Sequence, residues 1–418
     1  MIPVDLSRAD AFVEVSTDTL IALESMLTAI PAISPESGGE GELDKCLALE
    51  AWLRERGFTA LERHDAPDPR AKGGVRPSLV LTLPGKNEGP CLWIMSHLDV
   101  VPSGDRALWS RDPFTVHVEG GKLYGRGVED NQQGLCASVL AALAVLDGAL
   151  AIKDGSIGLP STVKLLFVAD EEMGSEYGIQ WLLENRELFR DDDLVLIPDG
   201  GDSEGSTIEI AEKNLLWLRF TIRGQQAHGS RPDQGKNAQL AASDLTMRLY
   251  AALHERFDAR DELFDPPVST FEPTKVEANV PNINTIPGEA VFAYDMRILP
   301  RYALKEVLAL VRSVCDTLEA DRGVRVSYES LQAVESPATP ADSPLVARLS
   351  RAVKEVYGLA TRPIGIGGGT VASYLRKRGI HAAVWGKLDE MAHQADEYAI
   401  IDNILGDAKV MLRLMTRP

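Results

Sequence analysis

The sequence predicts a two-part α/β protein. One part is an open sheet of alternating strands and helices, and the other is an inserted α+β domain of ferredoxin-like order. Three observations predict this. Short apolar runs of strand length alternate with helix-period stretches up to about residue 213. Several of those runs end in His, Asp or Glu. From 214 to 330 the order changes to strand, helix, strand, strand, helix, strand.

Helical periodicity covers 10–30 and then 43–56, where Leu43, Cys46, Leu47, Leu49 and Leu53 recur at helical spacing. Leu79–Leu83 and Leu92–Met95 read as buried strands, the second running into His97. Gly134–Leu146 is a strongly apolar helix opening just after Asp130, and it is too short to span a bilayer. Thr162–Ala169 is a strand that feeds Asp170, Glu171 and Glu172. Leu194–Pro198 is another, and it feeds Asp199. The acidic and His residues therefore sit at strand C-termini, where open α/β sheets place their sites.

The insert reads as strand 215–223, helix 237–257, strands 269–278 and 289–298, helix 304–319 and strand 324–330. This is the split βαβ order. A Pro/Ser/Asp-rich turn region, 337–344, follows it. A helix at 345–357, the Gly-rich 365–369 and the segment 391–397 then return to the first domain. The expected division is 1–213 with 331–418, and 214–330 as the insert.

The 418 residues are 44% hydrophobic and 25% charged, an ordinary globular balance. Sixty-two acidic residues against 43 basic ones give a net charge of −19, which argues against nucleic-acid and anionic-membrane partners. Four cysteines, Cys46, Cys91, Cys136 and Cys315, lie far apart with no Cys-x-x-Cys pair. That usage fits a reducing compartment without a disulfide framework. The first ten residues lack a basic segment followed by an apolar core, so the expectation is a cytoplasmic protein.

Five segments carry the chemistry: Ser96–Pro102, Gly125–Asn131, Asp170–Glu172, Ile197–Gly200 and Ala392–Glu397. Together they offer two His and several carboxylates, a set that suits two zinc ions sharing one carboxylate. His97 and Asp99 are two apart at a strand end, so Asp99 can take the second ring N–H of the imidazole. Asp130 has two oxygens and can bridge two cations, but it also stands where a helix N-cap would. Glu171 and Glu172 are adjacent, so in an extended segment one can bind metal while the other stays free as a general base. Taken singly each segment has a plainer reading, as a turn, a cap or a solvated acidic patch. Taken jointly they form one pattern.

That pattern resembles the M20 family of metallopeptidases and deacylases, in the branch with acetylornithine deacetylase and succinyl-diaminopimelate desuccinylase. The resemblance covers nearly the whole chain. It implies a zinc-peptidase-like catalytic domain, with a mixed central sheet flanked by helices, and a lid or dimerisation role for the insert. It implies a first metal on His97 and Asp199, a second on Glu172 and His393, Asp130 as the bridge, and Glu171 as general base and acid. A cis peptide between Asp130 and Asn131 is also implied. His228, in Gln226–Pro232, is similar to the family's lid histidine, which stabilises the oxyanion and often comes from a partner subunit. Asn284 and Arg297 match stretches that touch the substrate, although Asp295–Arg297 also reads as a structural ion pair. Gly369 and Thr370 match a Gly-Gly-Thr segment lining the substrate pocket. The departures are Asn131, the Glu212–Trp217 stretch in place of an Arg-rich one, and Ala372 in place of an Asp.

The resemblance thus implies an amidohydrolase acting on N-acyl amino acids or short peptides, with two divalent ions, Zn or else Co or Mn on the same ligands. A homodimer through the insert is implied as well. A dipeptidase or aminopeptidase with the same machinery is the nearest alternative, and a metal-binding protein without activity is the other.

Overall fold

The structure, a computed structural model, describes residues 6–146 and 159–417. The extreme N-terminal residues 1–5, part of the segment read above for a leader, lie outside them. The chain separates into two compact units. The first comprises 1–210, 339–363 and 374–418, and the second 211–338 and 364–373.

The first unit is built on an eight-stranded mixed sheet flanked by helices. Its strand order is Leu61–Pro67, Val75–Leu83, Ser161–Val168, Asn87–His97, Leu194–Ile197, His381–Val384, Thr207–Glu212 and Arg362–Ile366. The last two strands carry the chain from one unit into the other. Strands 161–168, 87–97, 194–197 and 381–384 pair in parallel. Parallel strands covered on both faces read as unbroken apolar runs, and here Leu92–Met95 and Leu194–Ile197 are all buried. The parallel pairing sets His97 level with Val168. It thereby gathers the ends that lead to His97, Asp170–Glu172 and Asp199 on one edge of the sheet.

Helix Gln132–Ala144 is buried along its whole length, as its apolar all-round sequence requires, and it packs against the last helix, Ile401–Thr416. Its start lies very close to the loop that carries Asp199. A Cβ on Gly134 would fall 2.4 Å from the Pro198 carbonyl oxygen.

Two features differ from the sequence reading. The helical stretch at 10–30 is two helices, Leu6–Glu14 and Thr17–Thr28, broken at 15–16. The Gly-rich 365–369, expected in the first unit, belongs to the second, where Lys213 N–H donates to the Ile366 carbonyl and Arg297 Nη1 to that of Gly367. All four cysteines are buried and free. Among the described residues no helix is long and apolar enough to cross a membrane.

The second unit has a four-stranded antiparallel sheet in the order Thr270–Val276, Glu289–Ile298, Asn214–Arg223, Arg325–Val334. Helices Ala238–Arg256 and Leu304–Arg322 share one apolar core with it, around Phe220, Phe271, Phe292 and Met296. This is the strand order of a ferredoxin-like unit, and alternate residues of 214–223 and 289–298 point into that core.

The tight approach at Gly134 yields a prediction. An alanine there gains up to about 1 kcal/mol of helix propensity. It also meets a backbone oxygen that no rotamer change can move, an overpacking worth about 1–3 kcal/mol. Gly134→Ala is therefore expected to lower stability by about 1–2 kcal/mol in urea unfolding. Unchanged or raised stability would show that the helix start has room to shift.

Candidate active site

Three parallel strand ends and two loops of the first unit converge here. His97 ends its strand, fully buried. Its Nε2 lies 2.9 Å from Asp130 Oδ1 and 3.7 Å from Asp199 Oδ1. His393 Nε2 lies 3.2 Å from the other oxygen of Asp130, Oδ2, and 3.0 Å from Glu172 Oε2. Two triads result, His97–Asp130–Asp199 and Asp130–Glu172–His393, and the ligand atoms within each lie within 4.8 Å of one another. Asp130 is common to both.

Asn131, not Asp130, is the N-cap of helix 132–144, and the Asp130–Asn131 peptide is cis. Asn131 ties three of the segments together. Its Oδ1 accepts from His97 N–H at 3.3 Å, and its Nδ2 donates to the Pro198 carbonyl and to Asp199 Oδ1, each at 2.7 Å.

Asp99 differs from its expected role. His97 Nδ1 bonds the Asp99 backbone carbonyl at 2.9 Å, while the Asp99 carboxylate is 3.6 Å away. That carboxylate instead accepts the backbone N–H groups of Glu171 and Glu172 at 3.1 and 3.0 Å. Glu171 and Glu172 also differ from expectation, because they lie in a turn rather than an extended segment. Asp170, before them, has φ +65°, a left-handed conformation uncommon for Asp. A buried ion network holds this turn. Arg76 Nη2 contacts Glu42 at 2.5 Å and Asp170 at 3.1 Å, and Tyr177 N–H donates to Asp170.

The electrostatics fit a cation. Among the described residues, the side chains of Asp130, Glu172 and Asp199 form ion pairs only with the two imidazoles. Glu172 Oε1 is buried without a hydrogen-bond partner. Burial opposes protonation of His97, but Asp199 and Asp130 outweigh it and hold its pKa well above the usual value. His393 is raised to about 10 by its contacts with Asp130 and Glu172. Burial, then the Asp199 carboxylate, pushes Glu171 well above the ordinary range for a carboxyl. These carboxylates thus favour protons on the two imidazoles. The donor set of neutral imidazole nitrogen and carboxylate oxygen suits divalent ions in their place.

Two acidic residues that the sequence reading did not single out complete the frame. Glu397 is fully buried and accepts from Arg126 Nη1 (2.6 Å) and from the N–H groups of Gly127, Glu129 and Asp130 (2.9, 3.0 and 3.1 Å). Glu129 accepts from the N–H groups of Asp389 and Met391. Nothing local in the sequence marks either one, since their partners lie about 260 residues away.

The other candidates lie in the second unit and form two groups there. His228 pairs across a short ladder with Thr285, and the Asn284 carbonyl accepts from Gly229 N–H at 2.7 Å. His228 Nδ1 lies 2.8 Å from the Ser230 hydroxyl and 3.2 Å from the Ser230 backbone nitrogen, contacts that orient the ring. Arg297 is engaged bidentately by Asp295 at 2.7 and 3.0 Å, so the ion-pair reading describes its contacts. The Thr370 hydroxyl donates to Glu212 at 2.6 Å, and Gly369 stands beside the same carboxylate.

Comparison with known proteins places this geometry in a family. Residues 93–417 match the model of peptidase family M20/M25/M40. An uncharacterized metallohydrolase of Methanococcus maripaludis is 38% identical over 95% of this chain and 99% of its own. A succinyl-diaminopimelate desuccinylase of Cereibacter sphaeroides is 30% identical over 90% of this chain and 93% of its own. Among solved structures, a tripeptidase of Staphylococcus aureus superposes with a TM-score of 0.71 at 17% identity, covering 96% of this chain and 97% of its own. A di-peptidase of Saccharomyces cerevisiae gives 0.70 at 16%, covering 99% and 98%. At those identities the two structures speak to the fold alone. The family match spans most of the sequence and includes every residue of both triads, so the chain belongs to peptidase family M20/M25/M40 and is a metallohydrolase of that family.

Proposed function

We propose that this protein is a dinuclear metal-dependent amidohydrolase that cleaves the amide bond of N-acyl amino acids or short peptides. The observation that carries the reading is Asp130, whose two oxygens face different histidines at 2.9 and 3.2 Å. His97, Asp130 and Asp199 would hold one ion, and Asp130, Glu172 and His393 the other, with Zn the first candidate. Bound there, divalent ions supply Lewis acidity toward water and toward the substrate carbonyl.

The chain's own residues supply the rest. Glu171 takes the proton from the attacking water on its carboxylate and passes it to the leaving nitrogen. The Asp99 carbonyl fixes the His97 ring, and the Asp99 carboxylate holds the turn on which Glu171 and Glu172 sit. His228 is assigned to the oxyanion on family resemblance, a role that requires a ring N–H donor. Asn284, Arg297, Gly369 and Thr370 are assigned to substrate recognition on the same ground. The second unit is assigned to homodimerisation. Exposed Leu240, Met247 and Tyr250 on helix 238–256 support that assignment, and light scattering at the mass of two chains checks it.

Glu171→Gln is expected to lower kcat by about 10²- to 10⁴-fold with both ions still bound. His228→Ala is expected to lower kcat with metal content unchanged. Retained turnover in either variant removes that residue from the mechanism.

Substrate class is tested by a matched panel of N-acetyl and N-succinyl amino acids and unblocked dipeptides, with and without chelator. Chelator-sensitive cleavage of the blocked substrates is expected, in line with the desuccinylase at 30% identity. Cleavage of dipeptides alone would move the assignment to a peptidase. Stoichiometric metal with no cleavage would favour a non-catalytic metal protein.

A further inference from the structure

The segments that present Asp130 and His393 hold each other by exchanged carboxylates. Glu397, from the His393 side, gathers the N–H groups of Gly127, Glu129 and Asp130. Glu129, from the Asp130 side, reaches back to the N–H groups of Asp389 and Met391. Glu129 is 4% exposed, so a buried carboxylate spends its acceptor oxygens on the backbone of an otherwise irregular loop.

That loop needs holding. Three non-glycine residues in it are left-handed: Glu390 at φ +57°, His393 at +64° and Asp396 at +55°. Each costs on the order of 1 kcal/mol or more, and such residues persist only where surrounding contacts over-determine them. The two N–H groups that Glu129 accepts bracket Glu390, three residues before His393. Within the loop, Gln394 donates through its N–H to the Met391 carbonyl (3.2 Å) and through Nε2 to the Glu390 carbonyl (2.9 Å), while Tyr398 reaches the Asp389 carboxylate (2.9 Å) and Ser110 that of Asp396 (2.9 and 3.0 Å). His97 and Asp199, by contrast, are held by sheet strands and Asn131, and among the described residues none of their hydrogen bonds or ion pairs involves Glu129.

We propose that Glu129 is a positioning residue for one metal position only: it latches the 389–393 loop so that His393 faces Asp130 and Glu172. This rests on the dinuclear reading above, and it separates two positions that share Asp130. Losing the latch frees His393 while leaving the His97–Asp130–Asp199 triad in place.

The test is a Zn²⁺ titration of the full chain against a competing chelator, for wild type, Glu129→Ala, Glu129→Gln, His97→Ala and His393→Ala. Amide hydrogen exchange on the metal-free proteins accompanies it. The expected result for Glu129→Ala is a second-ion affinity lowered about 10- to 100-fold, the first held within about twofold, and a pattern like His393→Ala rather than His97→Ala. Glu129→Gln, which keeps one acceptor oxygen and the packing, should fall between wild type and Glu129→Ala. The amides of Asp389 and Met391 should exchange faster in Glu129→Ala, with strand 87–97 unchanged. Equal weakening of both ions, or an unchanged second ion, overturns the proposal. A wild type that binds fewer than two ions overturns the dinuclear reading instead. The latch is then judged by exchange alone, and wild-type rates at Asp389 and Met391 in Glu129→Ala overturn it.

Discussion

Asp130 stands between two imidazoles, 2.9 Å from His97 and 3.2 Å from His393, and the architecture of the first unit is arranged around keeping it there. A carboxylate shared by two cationic partners tolerates little displacement, because moving toward one partner moves it away from the other. His97 is fixed by the parallel sheet, and His393 sits on a loop with no regular structure. The two must nevertheless meet the same group. Glu397 holds Asp130 by its own N–H and those of Gly127 and Glu129, and Asn131, the next residue, ties it to His97 and Asp199 at the strand ends.

The charge distribution follows from the same constraint. Asp99, Asp130, Glu171, Glu172 and Asp199 crowd one edge of the sheet, and burial raises the cost of ionising most of them. Isolated carboxylates in such a place would take up protons. Here Asp130 is instead driven below the usual carboxylate range, because its contacts with His393 and His97 outweigh its burial. Glu171 is driven the other way by burial and by Asp199. Neighbouring carboxylates in one site are thus separated into one suited to binding cations and one suited to carrying a proton.

Much of this was legible in the sequence, because the signal is local. Apolar runs that stop at His97, at Asp170–Glu172 and at Asp199 announce strands that end in a site. The strand–helix order of 214–330 announces a separate ferredoxin-like sheet, and the described strands and helices fall within a few residues of that reading. What was not legible is non-local or made by the backbone. Asp99 acts on His97 through its carbonyl, which any residue type possesses. Glu129 and Glu397 find their partners about 260 residues away, and in a chain with 62 acidic residues nothing sets them apart. Residues 364–373 join the second unit through scattered contacts to Glu212, Lys213, Leu263 and Arg297, which no periodicity encodes.

The central claim is that one carboxylate, Asp130, serves two metal positions. The most direct measurement is diffraction from crystals grown with zinc, with anomalous data collected at the zinc edge. The account predicts two peaks about 3.5–4 Å apart, one beside His97 and Asp199 and the other beside Glu172 and His393, with an oxygen of Asp130 on each. A single peak, or a second peak that Asp130 does not touch, would contradict it.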